Sequence, residues 1–353
     1  MTLHAPPPPR RYLLAAPMAA VAFGIAGCAG TSSTSSNEGD VPTVLTTLGD
    51  EVSLRDPFLW PFSSSSPWNT PIGGDAEFSQ ADSQQTINLI DRTIDIWLNF
   101  DEWSHPIVRA ESTDPAWTIS YANSNTGGPG AGAVTLQLPP QAEPAVGADA
   151  HLHVVDIDGV TAREFFGLEL TEEQEGRATY FVENDLRGPG TGSGGTRAYG
   201  GSALGGLIRA WEMEERRIGH ALALSLQGSQ LMTGPVWPAT AQDSTADATY
   251  GGTVPIGTLI AIPPSVNVDA MLLSPEALVV ARALQEYGAY IVDQSTVMTF
   301  YAEPSLLASE VEAIRADLGR IRRELRLVVN NTEDSPGGGG RPVAPLAPPL
   351  EVN

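Results

Sequence analysis

Glycine and proline interrupt this chain so often that few long regular elements fit between them. There are 36 glycines and 29 prolines among 353 residues, about one position in five. Proline lacks a ladder donor and fixes φ, and glycine weakens the interior of a helix or strand. Between these breaks stand apolar runs of strand length. Residues 133–138 alternate in polarity. Residues 151–156 lead into Ile157-Asp158-Gly159, where Asp-Gly is a hairpin-turn signal. Residues 178–182, 221–226 and 258–262 read as further strands, the last stopped by Pro263-Pro264. The pattern predicts a mainly β fold, a single β-sandwich or jelly-roll-like domain with two short helices.

The first helix is predicted over 84–97, where Ile87, Ile90, Ile94 and Trp97 fall at helical spacing. The second follows Ser274 as N-cap, with Pro275 and Glu276 in its first turn and Gly288 as its stop. Residues 304–330 stand apart. Leu307, Val311, Ile314, Leu318, Ile321, Leu325 and Val328 step by four and three, a heptad seam. Such a helix either joins copies of the chain into a homo-oligomer or lies on its own domain. The Gly- and Pro-rich tail, 331–353, reads as disordered.

The N-terminus points to export. Arg10 and Arg11 precede an apolar stretch over 12–25, which ends in Ile25-Ala26-Gly27-Cys28. Charge, a short apolar run and small residues before a cleavage point make a signal peptide over 1–27. Its ending resembles the lipobox of bacterial lipoproteins, which implies an acylated Cys28 held at the extracytoplasmic face of the cell membrane. Residues 28–57 read as a Ser/Thr/Gly-rich tether and 58–303 as the β-rich globular domain. Cys28 is the only cysteine, so disulfides and thiolate chemistry are excluded from the domain. The formal net charge is −23, and the 19 basic residues are all arginine. That balance argues against nucleic acid as partner and leaves attachment to the acyl chains.

No sequence motif assigns a cofactor or a metal. Gly190-Thr191-Gly192-Ser193-Gly194-Gly195 fits a dinucleotide fingerprint by letters, but lacks its strand-then-helix setting. The candidate chemistry rests on scattered acids and histidines. Asp149, His151 and His153 are spaced to share a strand face, suiting a carboxylate-oriented imidazole or two metal-binding rings. The competing reading has Asp149 close a loop hydrogen bond while His151 and His153 sit on a half-exposed sheet face. Arg209-Ala210-Trp211-Glu212 reads as a strand end entering a loop, and Glu212 can meet His220 across that connection. Glu164, beside Phe165 and Phe166, is a third acid, and acids beside aromatics are what sugar sites use. Asp293 reads as structural. The candidate catalytic set is therefore Glu212, His220, Asp149, His151 and Glu164.

Four blocks carry a resemblance over roughly 65–303. They are Ser66-Pro67-Trp68-Asn69-Thr70-Pro71-Ile72; Asp149-Ala150-His151 with Glu164; Trp211-Glu212 with His220-Ala221-Leu222; and Ala283-Leu284-Gln285-Glu286-Tyr287-Gly288 with Asp293. Together they resemble a broad set of secreted β-rich bacterial proteins of the actinobacterial and myxobacterial type. The resemblance groups these polar residues and carries over no activity. Three functions stay open: a polysaccharide hydrolase or lyase using Glu/His acid–base residues, a non-catalytic glycan- or cell-wall-binding lipoprotein, and an assembly lipoprotein joined through the heptad helix.

Overall fold

The alternation and apolar runs of the sequence become short strands shared between two main sheets. The structure is a computed structural model and describes residues 54–124, 130–192 and 194–351. Cys28, the signal segment and most of the tether lie outside the described residues. In chain order the strands are β1 (Ile96–Asn99), β2 (Ile107–Arg109), β3 (Ala116–Ser124), β4 (Gly132–Gln137), β5 (Leu152–Val155), β6 (Thr161–Phe166), β7 (Glu169–Leu170) and β8 (Glu175–Asp185). They continue as β9 (Leu222–Gln227), β10 (Leu231–Met232), β11 (Val254–Pro255), β12 (Leu259–Ala261), β13 (Ala289–Ser295), β14 (Met298–Tyr301) and β15 (Arg326–Leu327). The helices are α1 (Gln84–Leu89), α2 (Ala210–Glu214), α3 (Ala246–Thr249), α4 (Pro275–Glu286) and α5 (Ala308–Glu324). The protein is mainly β, with mixed sheets and few helices.

One sheet runs β1-β14-β9-β13-β12-β15, with parallel and antiparallel pairs mixed. Its central strand β9 is buried from Leu222 to Leu226 on both faces, which is why that segment reads as an unbroken apolar run. The other sheet runs β2-β5-β6-β8-β3-β4, with β7 added beside β8. There β8 alternates exposed Glu175, Arg177 and Thr179 with buried Gly176 and Ala178, the mark of a half-buried strand. β1 and β2 are consecutive in sequence but belong to different sheets. The segment between them therefore crosses from one sheet to the other, and it carries His105. The larger core packs around the six-stranded sheet and takes in Val155 and Ala162 of the second sheet. A smaller core, with Ile119, Leu152, Phe165 and Phe181, lies within the second sheet.

Three expectations change, and of the two readings of the heptad helix one is seen. The helix predicted over 84–97 stops at Leu89. Asp91 turns its carboxylate onto the N–H and hydroxyl of Thr93, each at 2.9 Å, and Ile96 and Trp97 enter β1 beside β14. β-Branched and aromatic residues favour the strand. The stretch Arg209–Glu212 is not a strand end: Ala210–Glu214 is helical, and Glu212 accepts the Arg209 N–H at 3.0 Å as a cap.

The heptad helix is no appendage. Val311, Ile314, Leu318, Ile321, Leu325 and Val328 are all buried, while Leu307 is 63% exposed. Helix α5 lies on α4 and β1, and Asp317 accepts the Ser274 N–H at 2.7 Å. The seam is thus filled by this chain's own domain. The tail, expected to be disordered, is laid along the domain as far as the described residues run. Val343 N–H reaches Ile72 O at 2.9 Å, Arg55 N–H reaches Pro349 O at 3.0 Å, and Tyr287 donates to Pro345 O at 2.9 Å. Backbone hydrogen bonds hold a segment whose composition offers little apolar burial. Gly339 passes so near Gly73 that a Cβ on Gly73 would stand 1.8 Å from its carbonyl oxygen.

Candidate functional site

Where the two sheets meet, three of the four histidines that follow Cys28 converge. His151 immediately precedes β5 and His153 lies within it, so their rings share a side, with centroids 5.7 Å apart. His105 comes from the crossing segment. Its Nδ1 lies 2.9 Å from His153 Nε2, and its ring lies 4.3 Å from that of His151. Each ring offers one nitrogen such that all three lie within 4.8 Å of one another. His151 Nδ1–H donates to Phe165 O at 3.2 Å, which leaves Nε2 as that ring's lone pair. All three are buried. Burial disfavours the charged ring, and the Arg197 charge adds to it. His105 and His153 are held well below the usual histidine range and His151 is lowered to about 3. The half-exposed sheet face expected for His153 is instead fully enclosed.

Glu164 sits opposite His153 in the β5–β6 register. Its carboxylate accepts from Asn184 Nδ2 at 2.7 Å, Ala203 N at 2.9 Å, Thr196 Oγ1 at 3.1 Å and the Ser202 hydroxyl. It therefore ties down the glycine-rich loop that follows β8. Burial raises its pKa even so, against those four hydrogen bonds. Oε2 stands 3.8 Å from His153 Nδ1, too far for a hydrogen bond. The glycines serve the loop's own packing: a Cβ on Gly195 would stand 1.5 Å from Gly201 O. Ser193 of the fingerprint-like string lies outside the described residues.

That loop delivers Arg197. Its guanidinium lies 3.8 Å from the centroid of the Tyr301 ring, and Tyr301 Oη is 2.7 Å from Ser225 Oγ. Arg197 is 4% exposed, and its Nε and Nη2 have no hydrogen-bond partner among the described residues. Two carboxyl groups lie within its field. Burial raises Asp149, partly offset by Arg197. Asp293, on β13 beside a register shift, is pushed up to about 7 by burial and the Asp243 charge; Arg197 and the Gln294 N–H oppose this. Asp243 accepts the Tyr250 hydroxyl. Asp149 does not share the strand face expected of it. Ala150 has φ 36 and β5 begins only at Leu152, so the chain turns before the strand.

Glu212 and His220 do meet, with Oε1 and Nε2 2.9 Å apart. His220 Nδ1 donates to Ala221 O at 2.9 Å. Both ring nitrogens stand near acceptors, an arrangement that favours the doubly protonated ring. Burial works against that charge, but Glu212 outweighs it and the pKa is raised. Arg209 and Glu303, paired at 2.7 Å, sit alongside. The neighbouring cavity, lined by Trp60, Asn69 and His220, holds about 10 Å³, the space of a single water. This buried pair clasps α2 to the start of β9. Among the described residues no hydrogen bond or ion pair links it to the histidine cluster.

The structure thus divides the five expected residues. His151, Glu164 and Asp149 lie at the sheet junction, and Glu212 and His220 lie elsewhere. Sequence reasoning passed over His105, Arg197, Tyr301 and Asp243 and took Asp293 as structural. The scarcity of histidine was the available signal for His105. No family model matches the chain, and neither does any curated protein or solved structure.

Proposed function

We propose that this is an exported protein, tethered through acylated Cys28, whose domain performs acid–base chemistry on polysaccharide at the sheet junction. The observation that carries the reading is Arg197: a buried guanidinium with two nitrogens unpartnered among the described residues, set among Asp149, Asp293 and Tyr301. A buried cation with free donors suits a ligand rich in oxygen. Asp293, held near 7, retains its proton in a large fraction of molecules at neutral pH and suits a general acid toward a glycosidic oxygen. Asp243, oriented by Tyr250, suits the partner carboxyl that activates water or attacks carbon. Two carboxyl groups in unlike surroundings support hydrolase over lyase. The shared core of the two sheets favours a sandwich-like frame. No helix among the described residues is long and apolar enough to cross a membrane.

A panel of plant, microbial and cell-wall polysaccharides tests this, scored for new reducing ends and for the ultraviolet absorbance of unsaturated products. New reducing ends without that absorbance fit hydrolysis. Unsaturated products would move the chemistry to elimination, and no product on any substrate would remove the catalytic reading. The second reading is glycan binding without catalysis, and it rests on Trp97 and Trp103, 45% and 43% exposed. Binding that persists after loss of Asp293 and disappears with Trp103→Ala would support it.

A further inference from the structure

We propose that His105, His151 and His153 form a binding site for a divalent first-row transition ion, of the class that zinc represents. The inference stands on the cluster itself and not on the polysaccharide reading. Three imidazoles leaving one tetrahedral position to water or substrate are a known zinc arrangement, with metal–nitrogen bonds near 2.0–2.1 Å. Tetrahedral geometry at that length sets ligand nitrogens about 3.3 Å apart. Here His105 Nδ1 and His153 Nε2 are 2.9 Å apart, and the three nitrogens span at most 4.8 Å. Small side-chain rotations close that difference.

The outer nitrogens support the same arrangement. Metal-binding histidines direct their other N–H to a carboxylate or a backbone carbonyl. β6 supplies both kinds of acceptor from adjacent residues: Phe165 O stands 3.2 Å from His151 Nδ1, and Glu164 Oε2 stands 3.8 Å from His153 Nδ1. His153 Nδ1 is buried and otherwise without a hydrogen-bond partner among the described residues. A hydrogen-bonded imidazole pair would explain His105 and His153 alone. It gives no reason for His151 to lie with its ring 4.3 Å from that of His105. The ligands come from the segment between the sheets and from the edge of β5, so an ion here would also pin the two sheets together.

The test uses the full chain in mild detergent, stripped with chelator, dialysed against micromolar Co²⁺ or Zn²⁺, and analysed for bound metal. The expected result is one ion per chain, visible absorption bands for the cobalt form, and X-ray absorption showing nitrogen and oxygen neighbours near 2.0 Å. Affinity should fall at least tenfold in His105→Gln and His151→Gln, and about tenfold in Glu164→Gln, which removes the carboxylate behind His153 and also disturbs the hydrogen bonds from Asn184, Thr196, Ser202 and Ala203. Thermal unfolding confirms that each variant is folded. If a histidine variant fails to fold, the parent's spectra and stoichiometry still decide. Folded parent protein that retains less than a tenth of an ion, or folded histidine variants that bind as well as the parent, would overturn the assignment.

Discussion

At the residue scale, Asp293 ties stability to pH. Its folded pKa, about 7, lies above the ordinary carboxyl value near 3.9. A group raised in this way stabilises the fold fully below the unfolded pKa and loses that contribution as pH climbs through the folded one. The groups facing it are Asp243, Arg197, Asp149 and the Gln294 N–H. Asp293→Asn should therefore be more stable than the parent at pH 8 by up to a few kcal/mol, and should show little or no difference near pH 4. Urea midpoints at the two pH values check this. The same proton predicts that turnover falls above about pH 7, as the general acid empties. His220 has the opposite task. Glu212→Gln leaves a buried imidazole without its counter-charge and should cost about 3–5 kcal/mol in chemical unfolding. A cost under 1 kcal/mol would show that the clasp is not holding α2.

At the scale of elements, helix α5 gives the clearest case. The stepped apolar residues were plain in the sequence, but a heptad seam does not name the surface that covers it. Helix α4 and β1 cover it here, and both depend on contacts distant in sequence. Leu318→Ala should lower stability by about 2–5 kcal/mol through the cavity it leaves, with no change in sedimentation. Dissociation of an oligomer on that substitution would show that the seam serves another chain. Strands were legible wherever one face is wet, as in β8, or wherever an apolar run is long, as in β9. The end of α1 was not, because Asp91 and its cap on Thr93 override an apolar spacing that continues to Trp97. The pairing of Glu212 with His220 was legible because only a short connection separates them. The histidine cluster was only partly so. His151 and His153 lie two apart, but His105 joins them through the crossing between sheets, which no local pattern records. Arg197 stayed hidden in a loop whose glycines drew notice for their letters and not for their packing.

On the scale of the whole molecule, the two ends of the described domain meet. Arg55 donates from its guanidinium to Pro348 O at 2.6 Å and to the carbonyls of Trp60, Pro61 and Phe62, so the tail and the entry to the domain close on each other. Removing residues 331–353 breaks several such bonds, each worth about 1 kcal/mol net. Truncation should lower stability by a few kcal/mol, seen as a lower midpoint in a thermal melt. An unchanged melt would mean that the tail rests on the domain without supporting it. The two sheets meet at Arg197, and the account's central claim is that the working chemistry lies there and not at the Glu212–His220 clasp. Its most direct test is the initial rate of polysaccharide cleavage by Asp293→Asn and Glu212→Gln beside the parent, at a temperature where all three are folded. The account predicts a loss of at least a hundredfold in Asp293→Asn and nearly full activity in Glu212→Gln. Full activity in Asp293→Asn with loss in folded Glu212→Gln would contradict it and return the site to the clasp.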